Sequence, residues 1–304
     1  MAISNSVLTN PASFVALRNL NQINRDLDTT QDRVSTGLRV TGALDDASNF
    51  AIAQGIRTEI SAISSVIQGL NNAKGIGKVA LAGLTGISNL LIDMRGKLTE
   101  LANEGITQEQ RDILVNDYGE MLDQALDFAN NAEYNGVNLL NENAGVDTQI
   151  LSNLQGDTLT LSGAKNGSFW QNPGDGHSMQ TWITSTKGAL SDLRNGGGGF
   201  TAAEVAQREL EVNVGDGVTY YDDLDAAVRR YTGRLAAEVR ALDLQTSFLE
   251  SLSDATEEGL GNIVDADLAR ESATLTAVQV QQQLSTQTLG IANQRPQTLL
   301  GLFR

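Results

Sequence analysis

The stretch that most constrains this chain runs from Ile263 to Arg304. It reads as one long helix with a thin apolar seam, in which Leu268, Leu275, Val278, Leu289 and Ala292 recur at alternating helical spacings. Gln282 and Ser285 share that face, and Gln279, Gln281, Gln283, Thr286 and Gln287 flank it. An isolated helix gains little from propensity, and so narrow and polar a seam cannot form a core by itself. It needs a partner surface. The polar positions point to helices packed side by side, with Gln, Ser and Thr bridging neighbours and setting register. Beyond Pro296 the chain ends in Leu299, Leu300, Leu302 and Phe303. Four large apolar residues at a terminus point to a docking site on another chain.

Composition narrows the function classes. Aromatics make up only 5% of the 304 residues, which argues against one large globular core. Three prolines, Pro11, Pro173 and Pro296, leave room for long uninterrupted helices. The net charge of −16 opposes nucleic-acid binding and attachment to anionic membranes, both of which need Lys and Arg. With no cysteine, disulfides, thiol catalysis and thiolate metal sites are excluded. No basic segment followed by an apolar run opens the chain, so no secretory signal peptide is expected. No run of about 18 apolar residues occurs, so no membrane insertion is expected. Export from the cell would then require a dedicated machine.

Taken in order, residues 5–38 read as a helix. Leu20, Ile23, Leu27, Thr30, Val34 and Gly37 alternate by three and four, and Phe14 and Leu17 extend an apolar face upstream. Pro11 suits a first helical turn. The repeat lasts about three heptads, as in a coiled-coil strand. Gly37 and Gly42 mark a break, after which Asp45 and Asp46 favour a helix start as cap and first-turn acids. Residues 46–103 continue helical, with Ile52, Ile56, Ile60, Ile63, Ile67 and Leu70 on one side. Gly69, Gly75, Gly77, Gly83 and Gly86 weaken that helix by up to about 1 kcal/mol each. Tertiary packing must compensate, and small residues permit close helix approach. Gly105 ends the helix, and Thr107 with Gln110 forms a capping box for the next one. There Leu114, Tyr118, Met121, Ala125, Phe128 and Ala132 form the expected inner stripe. Asn135-Gly136 signals a turn.

Helical periodicity fades over residues 141–226. Thr158 to Ser162 alternates like a strand after a Gly156-Asp157 turn. Val212, Val214, Val218 and Tyr220 flank Gly215-Asp216-Gly217 like a hairpin. Trp170, Trp182, the single His177, a possible helix from Met179 to Leu193 and the run Gly196 to Gly199 also lie here. The segment reads as a small mixed α/β insertion. From Leu224 onward, Val228, Tyr231, Leu235, Val239, Leu242, Thr246 and Leu249 restore the helical repeat. Gly259 and Gly261 are expected to interrupt it, and Asp265 and Asp267 to cap the terminal helix. No His-Glu-x-x-His, Gly-x-Ser-x-Gly or phosphate loop occurs, so no enzyme, cofactor or metal site is expected.

The fold class is therefore mainly α: an elongated rod of antiparallel long helices. The N- and C-terminal helices form a coiled coil, inner helices form a bundle, and a small mixed α/β insertion lies outermost. A rod with an apolar seam at its ends is built to associate, and head-to-tail contacts that do not close give a helical filament.

At this point the chain resembles a known family, the bacterial flagellins. The resemblance is carried by Arg33-Val34-Ser35-Thr36-Gly37-Leu38-Arg39-Val40, Asp45-Asp46-Ala47-Ser48 and Asn135-Gly136-Val137-Asn138-Leu139-Leu140. In the C-terminal half it is carried by Ile263-Val264-Asp265-Ala266-Asp267, Ala292 to Gln297 and Leu300-Gly301-Leu302-Phe303-Arg304. It covers about residues 1–140 and 227–304. It implies that 1–43 and 263–304 form the filament-core coiled coil, that 44–140 and 227–262 form an inner tube, and that 141–226 faces outward. The terminal regions would be disordered in the monomer and coil together in the polymer.

The implied self-assembly residues are Leu20, Ile23, Leu27, Val34, Leu38, Arg39, Leu268, Leu275, Val278, Leu289, Leu300, Leu302 and Phe303. Implied partners are other copies of the chain, a chaperone for the C-terminal helix, hook-associated junction and cap proteins, and the flagellar type III export apparatus. The expected location is extracellular, in the flagellar filament. Two alternatives stand beside this: a hook–filament junction protein of the same superfamily, and a filament subunit whose outer domain is also an adhesin.

Overall fold

The structure is a computed structural model, and it describes residues 10–141, 145–164 and 221–301. Residues 5–9 of the expected first helix lie outside it. So do the expected Val212–Tyr220 hairpin, the Met179–Leu193 helix, Trp170, Trp182, His177, the glycine run, Leu302 and Phe303. The described chain is mainly α, with helices α1 (Pro11–Thr36), α2 (Ala47–Leu101), α3 (Gln108–Asn131), α4 (Tyr221–Val264) and α5 (Leu268–Gly301). Two hairpins, β1 (Glu133–Tyr134) with β2 (Val137–Asn138) and β3 (Thr148–Leu151) with β4 (Thr158–Leu161), separate α3 from α4 in sequence. The chain divides into two units, Ala62–Leu252 and Met1–Ser61 with Ser253–Arg304.

In the first unit, one core is shared by α2, α3 and α4. From α2 it takes Ile63, Leu70, Leu84, Ile87, Leu91, Met94 and Leu98, all essentially inaccessible to solvent. From α4 it takes every residue of the expected stripe except Thr246, which is also buried and turns its hydroxyl back to the Leu242 carbonyl. Helix α2 runs antiparallel to α4: Lys74 pairs with Asp243 at 2.6 Å, and the Tyr221 hydroxyl donates to the Leu91 carbonyl. Gly75, Gly77, Gly83 and Gly86 of α2 allow close approach as expected, whereas nothing lies within 4 Å of a Cβ added at Gly69. A Cβ on Gly77 would stand 2.4 Å from a Val239 methyl, and one on Gly83 2.9 Å from Leu140. Gly86 lies similarly close to the Phe128 ring.

By length and composition α2 could cross a bilayer, although it lacks an unbroken apolar run. Its apolar stripe from Ile63 onward is instead taken up by this core.

Thr107 and Gln110 form the expected capping box at the start of α3. The α3 stripe is a correction. Val115, Tyr118, Leu122, Ala125, Ala129 and Ala132 face the core, whereas Leu114 and Met121 lie at its margin and Phe128 is partly exposed. Only Tyr118, Ala125 and Ala132 belong to both stripes. Two apolar stripes lie one residue apart on this helix, and the one with more small alanines enters the shared core.

Asn135 and Gly136 both have positive φ, 51° and 80°, the geometry of a two-residue type I′ hairpin turn. The Asn138 side chain then closes the end of α3, donating to the Ala129 and Asn130 carbonyls at 2.9 and 2.8 Å. Strand β4 is present where expected, and its partner β3 was not foreseen. Ile150 and Leu161 of this hairpin join the helical core. Glu238 of α4 anchors it by accepting from the Ser162 amide at 2.9 Å and hydroxyl at 2.6 Å.

Candidate assembly interface

The second unit is built on α1 and α5, which pair antiparallel. Asn10 caps α1, accepting from the Ser13 amide, and Pro11 opens the helix as expected. Gly37 ends it at φ 73°. Against expectation, Gly259 and Gly261 do not interrupt α4, which runs unbroken to Val264. A glycine lowers helix propensity by only about 1 kcal/mol, too little to end a long packed helix. Nor do Ile263 to Asp267 belong to the terminal helix. The chain turns there, and Asp267 caps α5 by accepting from the Ala269 and Arg270 amides, both at 3.1 Å.

The turn meets the end of α1. Arg39 and Ala266 donate backbone bonds to the Val264 and Gly37 carbonyls at 2.7 and 2.9 Å. Val40, Ala53 and Val264 form a small core, joined by Leu38, Phe50, Leu260 and Ile263. Leu38 is thus engaged within the chain, and the Arg39 guanidinium donates to the Ile263 carbonyl at 2.6 Å.

The two expected caps divide their work. Asp46 caps α2, accepting from the Ser48 and Asn49 amides at 3.1 and 3.0 Å. Asp45 holds the preceding loop through the Thr41 hydroxyl and the Thr41 and Gly42 amides. Both carboxyls sit below their ordinary range: Asp45 chiefly through the Thr41 hydroxyl, Asp46 chiefly through the Asn49 amide. A carboxyl whose folded pKa is depressed stabilises the fold above its unfolded value of 3.8 and stops doing so as pH falls through the lower folded value. The 41–50 joint should therefore loosen as the solution is acidified below about pH 3.8, and Asp46→Asn, which keeps the accepting oxygen, should lessen that pH dependence. Amide exchange at Ser48 and Asn49 across pH 2–6 measures it; rates in that segment that track the rest of α2 would count against it.

The seam between α1 and α5 follows the expected repeat. Leu275, Val278, Gln282, Ser285, Leu289 and Ala292 are buried or half-buried, as are Ala16, Leu20, Ile23, Leu27, Thr30 and Val34. Three residues depart from expectation. Leu268 is 49% exposed, with Glu271 taking the seam position beside Arg33 at 3.6 Å. Phe14 and Leu17 lie off the seam, 59% and 45% exposed, and Ala16 occupies their place. Gln282 donates to the Asn24 side chain at 2.8 Å, and Asn10 and Ser13 reach the Ala292 carbonyl and the Asn293 side chain, each at 2.8 Å. The side chain of Leu300 lies outside the described residues.

A second stripe on α5 escaped the sequence reading. Ala277, Val280, Leu284 and Ile291 are exposed, Ile291 to 65%. Their spacing of three, four and seven was the available signal. Residues 272–294 hold no charged side chain at all, in a chain of net charge −16. Among the described residues no group of three or more His, Asp or Glu is placed to hold a metal ion.

A pair of terminal helices joined by polar rungs, carrying an uncharged outer face and no reactive constellation, is the framework of a structural, self-associating subunit. Residues 7–144 match the bacterial flagellin N-terminal helical region, and residues 219–303 match the bacterial flagellin C-terminal helical region. A flagellin of Brucella melitensis is 31% identical over 301 residues, covering 98% of this chain and 99% of that protein. Flagellin FljK of Caulobacter vibrioides is 31% identical over 303 residues, covering 99% of both. A putative flagellar hook-associated protein from Vibrio parahaemolyticus shares the fold, with a TM-score of 0.58 and 16% identity over 73% of this chain and all of that one. The chain belongs to the bacterial flagellin family. It is a structural subunit of the flagellar filament, an extracellular polymer.

Proposed function

We propose that the chain polymerises through the exposed stripe of α5, with the α1–α5 seam serving to hold that stripe in place. The observation that carries this reading is the division of α5 into two apolar faces. Leu275, Val278 and Leu289 lie along α1 within the same chain, while Val280, Leu284 and Ile291 remain exposed on a helix with no charge from Ser272 to Gln294. Exposed apolar surface of that length on a family of filament subunits is interface. Phe14 and Leu17 supply a further exposed apolar patch on α1.

The seam residues Leu20, Ile23, Leu27 and Val34 then contribute to assembly indirectly, by building the coil. Leu38 and Arg39 do so by closing the joint. Leu300, Leu302 and Phe303 are assigned to self-assembly on their apolar character alone. Residues 1–43 with 263–304 form the filament core, 44–140 with 227–262 the surrounding wall, and 141–226 the outer face. Before export, the charge-free stretch of the C-terminal helix from Ser272 to Gln294 needs cover, which a cytoplasmic chaperone would give. Passage through the type III export apparatus, contact with junction proteins at the filament base and insertion under a cap complete the sequence. The role is structural, with no catalysis.

Replacing Val280 and Leu284 by Ser tests the reading. The variant should keep the stability of the Ala62–Leu252 unit, yet lose filaments by electron microscopy, with sedimentation at monomer size. Filaments of parental length and growth rate would overturn it.

A further inference from the structure

Within the Ala62–Leu252 unit, α3 and α4 share one core, and each turns a different sign of charge away from it. On α3, Val115, Tyr118, Leu122, Ala125 and Ala129 face inward. Glu109, Glu120, Asp123 and Asp127 fall on the opposite side of the helix and are all exposed. From Gln108 to Asn131 the helix holds six acids against one arginine. That arginine, Arg111, turns its guanidinium back to the Leu101 carbonyl at 3.0 Å. On α4, Val228, Tyr231, Leu235, Val239 and Leu242 face inward. Arg229, Arg230, Arg234 and Arg240 are exposed on the other side. From Ala226 to Leu242 there are four arginines against one acid, Glu238, in a chain of net charge −16.

Sorting by sign is unfavourable in a lone subunit. Opposite charges three or four residues apart support a helix, and like ones weaken it. Arg230 with Arg234, and Asp123 with Asp127, are like pairs four residues apart. Local partners offset part of this: Arg229 lies beside Asp225 at 2.6 Å, Arg234 beside Glu238 at 3.0 Å, and Asp117 beside Lys97 at 2.9 Å. Glu238 is also committed to the Ser162 amide and hydroxyl. The excess positive charge therefore falls on Arg230 and Arg240, and the excess negative charge on the Glu120–Asp127 stretch. Both faces point away from the core that the helices share, so the two stripes of one copy do not meet each other.

We propose that the arginine face of α4 in one copy docks on the acidic face of α3 in the next, as a side-to-side contact of the filament. Charge complementarity identifies the occupant: each stripe finds its opposite on a second copy of the same chain. Gly233 lies among the arginines, and nothing stands within 4 Å of a Cβ added there, so a neighbouring helix can come close. The stripes also stand at different heights along α2. Asp117 is level with Lys97 and Phe128 with Gly86, whereas Tyr221 is level with Leu91 and Asp243 with Lys74. Bringing Arg230 to Arg240 level with Glu120 to Asp127 moves the neighbour by roughly 10–20 Å along α2. A contact between two unlike faces, taken with a step, is heterologous and does not close, so its repetition builds a helical lattice. Exposed ion pairs add little affinity, but like charges brought face to face are strongly disfavoured, so the stripes select the orientation of the incoming subunit. This contact lies within the Ala62–Leu252 unit and does not depend on the stripe of α5.

Exchanging the signs tests it in the full-length chain. Arg230→Glu with Arg240→Glu makes both faces acidic, and Glu120→Arg with Asp127→Arg makes both basic; all four side chains are exposed. Polymerisation is followed by light scattering and electron microscopy, and unfolding of the unassembled chain by circular dichroism. Each two-residue variant should polymerise at least about tenfold more slowly than the parent, with the thermal transition of the Ala62–Leu252 unit unchanged. The chain carrying all four changes again has opposite stripes, with the signs exchanged, and should recover growth to within about threefold of the parent. A defect confined to folding would not be repaired by adding two further substitutions on another helix. Arg230→Gln with Arg240→Gln removes the charge without adding repulsion, and should slow growth less than the glutamate pair does. Parental growth in both two-residue variants would overturn the proposal, as would a four-residue variant no faster than the slower of the two.

Discussion

Replacing Leu275 and Val278 together by Asp should abolish filament growth and leave the Ala62–Leu252 unit as stable as in the parent. Val278 is buried, and Leu275 is half-buried one turn away on the same face. Their partners along α1 are apolar or already engaged; Thr30, for instance, is buried and turns its hydroxyl to the Asp26 carbonyl. An unpaired carboxylate placed there loses water and gains no counter-charge. The cost is several kcal/mol at buried Val278 and less at half-buried Leu275. The seam has little to set against that. A fully buried aliphatic side chain contributes about 1.5–3 kcal/mol, and most residues of this seam are only half-buried. Two carboxylates thus exceed what the coil gains, and the helices separate. The polymerisation-competent fraction should fall at least a hundredfold, since each 1.4 kcal/mol is about tenfold.

The core of the other unit contains no residue of α5. Its thermal transition, followed by circular dichroism, should stay where it was. Electron microscopy and sedimentation read the assembly. Filaments from the double variant, or a collapse of both units together, would contradict the account.

What could be read from the sequence depended on how strongly a repeat was marked. Helix α4 was legible almost residue by residue, because its inner positions from Val228 to Leu249 are large and its flanks polar. Helix α3 was legible as a helix, down to its Thr107–Gln110 cap, but its face was misjudged. Leu114, Met121 and Phe128 are larger than Val115, Ala125 and Ala129, so size alone selected the wrong side. Gly75, Gly77, Gly83 and Gly86 of α2 were correctly read as close approach, and Gly69 was not, since nothing lies near it. The glycines of α4 were read as breaks, and propensity proved weaker than tertiary packing.

The α5 seam was legible from Leu275 to Ala292, and the presence of a second seam helix at the other end of the chain suggested the partner. The outer stripe of Val280, Leu284 and Ile291 was hidden because the inner one already accounted for the helix. The pairing of Asn24 with Gln282 could not be read at all. Two amides far apart in sequence meet only once the alignment of two helices is known. Strand β3 was missed for a related reason. Its Thr148-Gln149-Ile150-Leu151 run is short, and only pairing with Thr158 to Leu161 makes it a strand.

The sharpest test of the packing within the Ala62–Leu252 unit is a pair of identical substitutions at two glycines of α2. Gly69→Ala should stabilise that unit by up to about 1 kcal/mol, because alanine is the better helix former and nothing lies within 4 Å of the added methyl. Gly77→Ala makes the same propensity gain, but its Cβ would stand 2.4 Å from the Val239 methyl. Val239 is buried and β-branched, so in a helix it has essentially one rotamer and cannot swing aside. Helices α2 and α4 must then move apart along a shared core, at about 1–3 kcal/mol. That loss exceeds the propensity gain, and the sign reverses between the two sites.

Val239→Ala alone leaves a cavity and should also destabilise. Combined with Gly77→Ala, the new methyl enters the vacated space, so the double variant should be more stable than the sum of the single effects by at least about 1 kcal/mol. Urea unfolding followed by circular dichroism measures all four proteins. A Gly77→Ala variant as stable as Gly69→Ala, or strictly additive effects at positions 77 and 239, would show that α2 and α4 do not meet at this glycine.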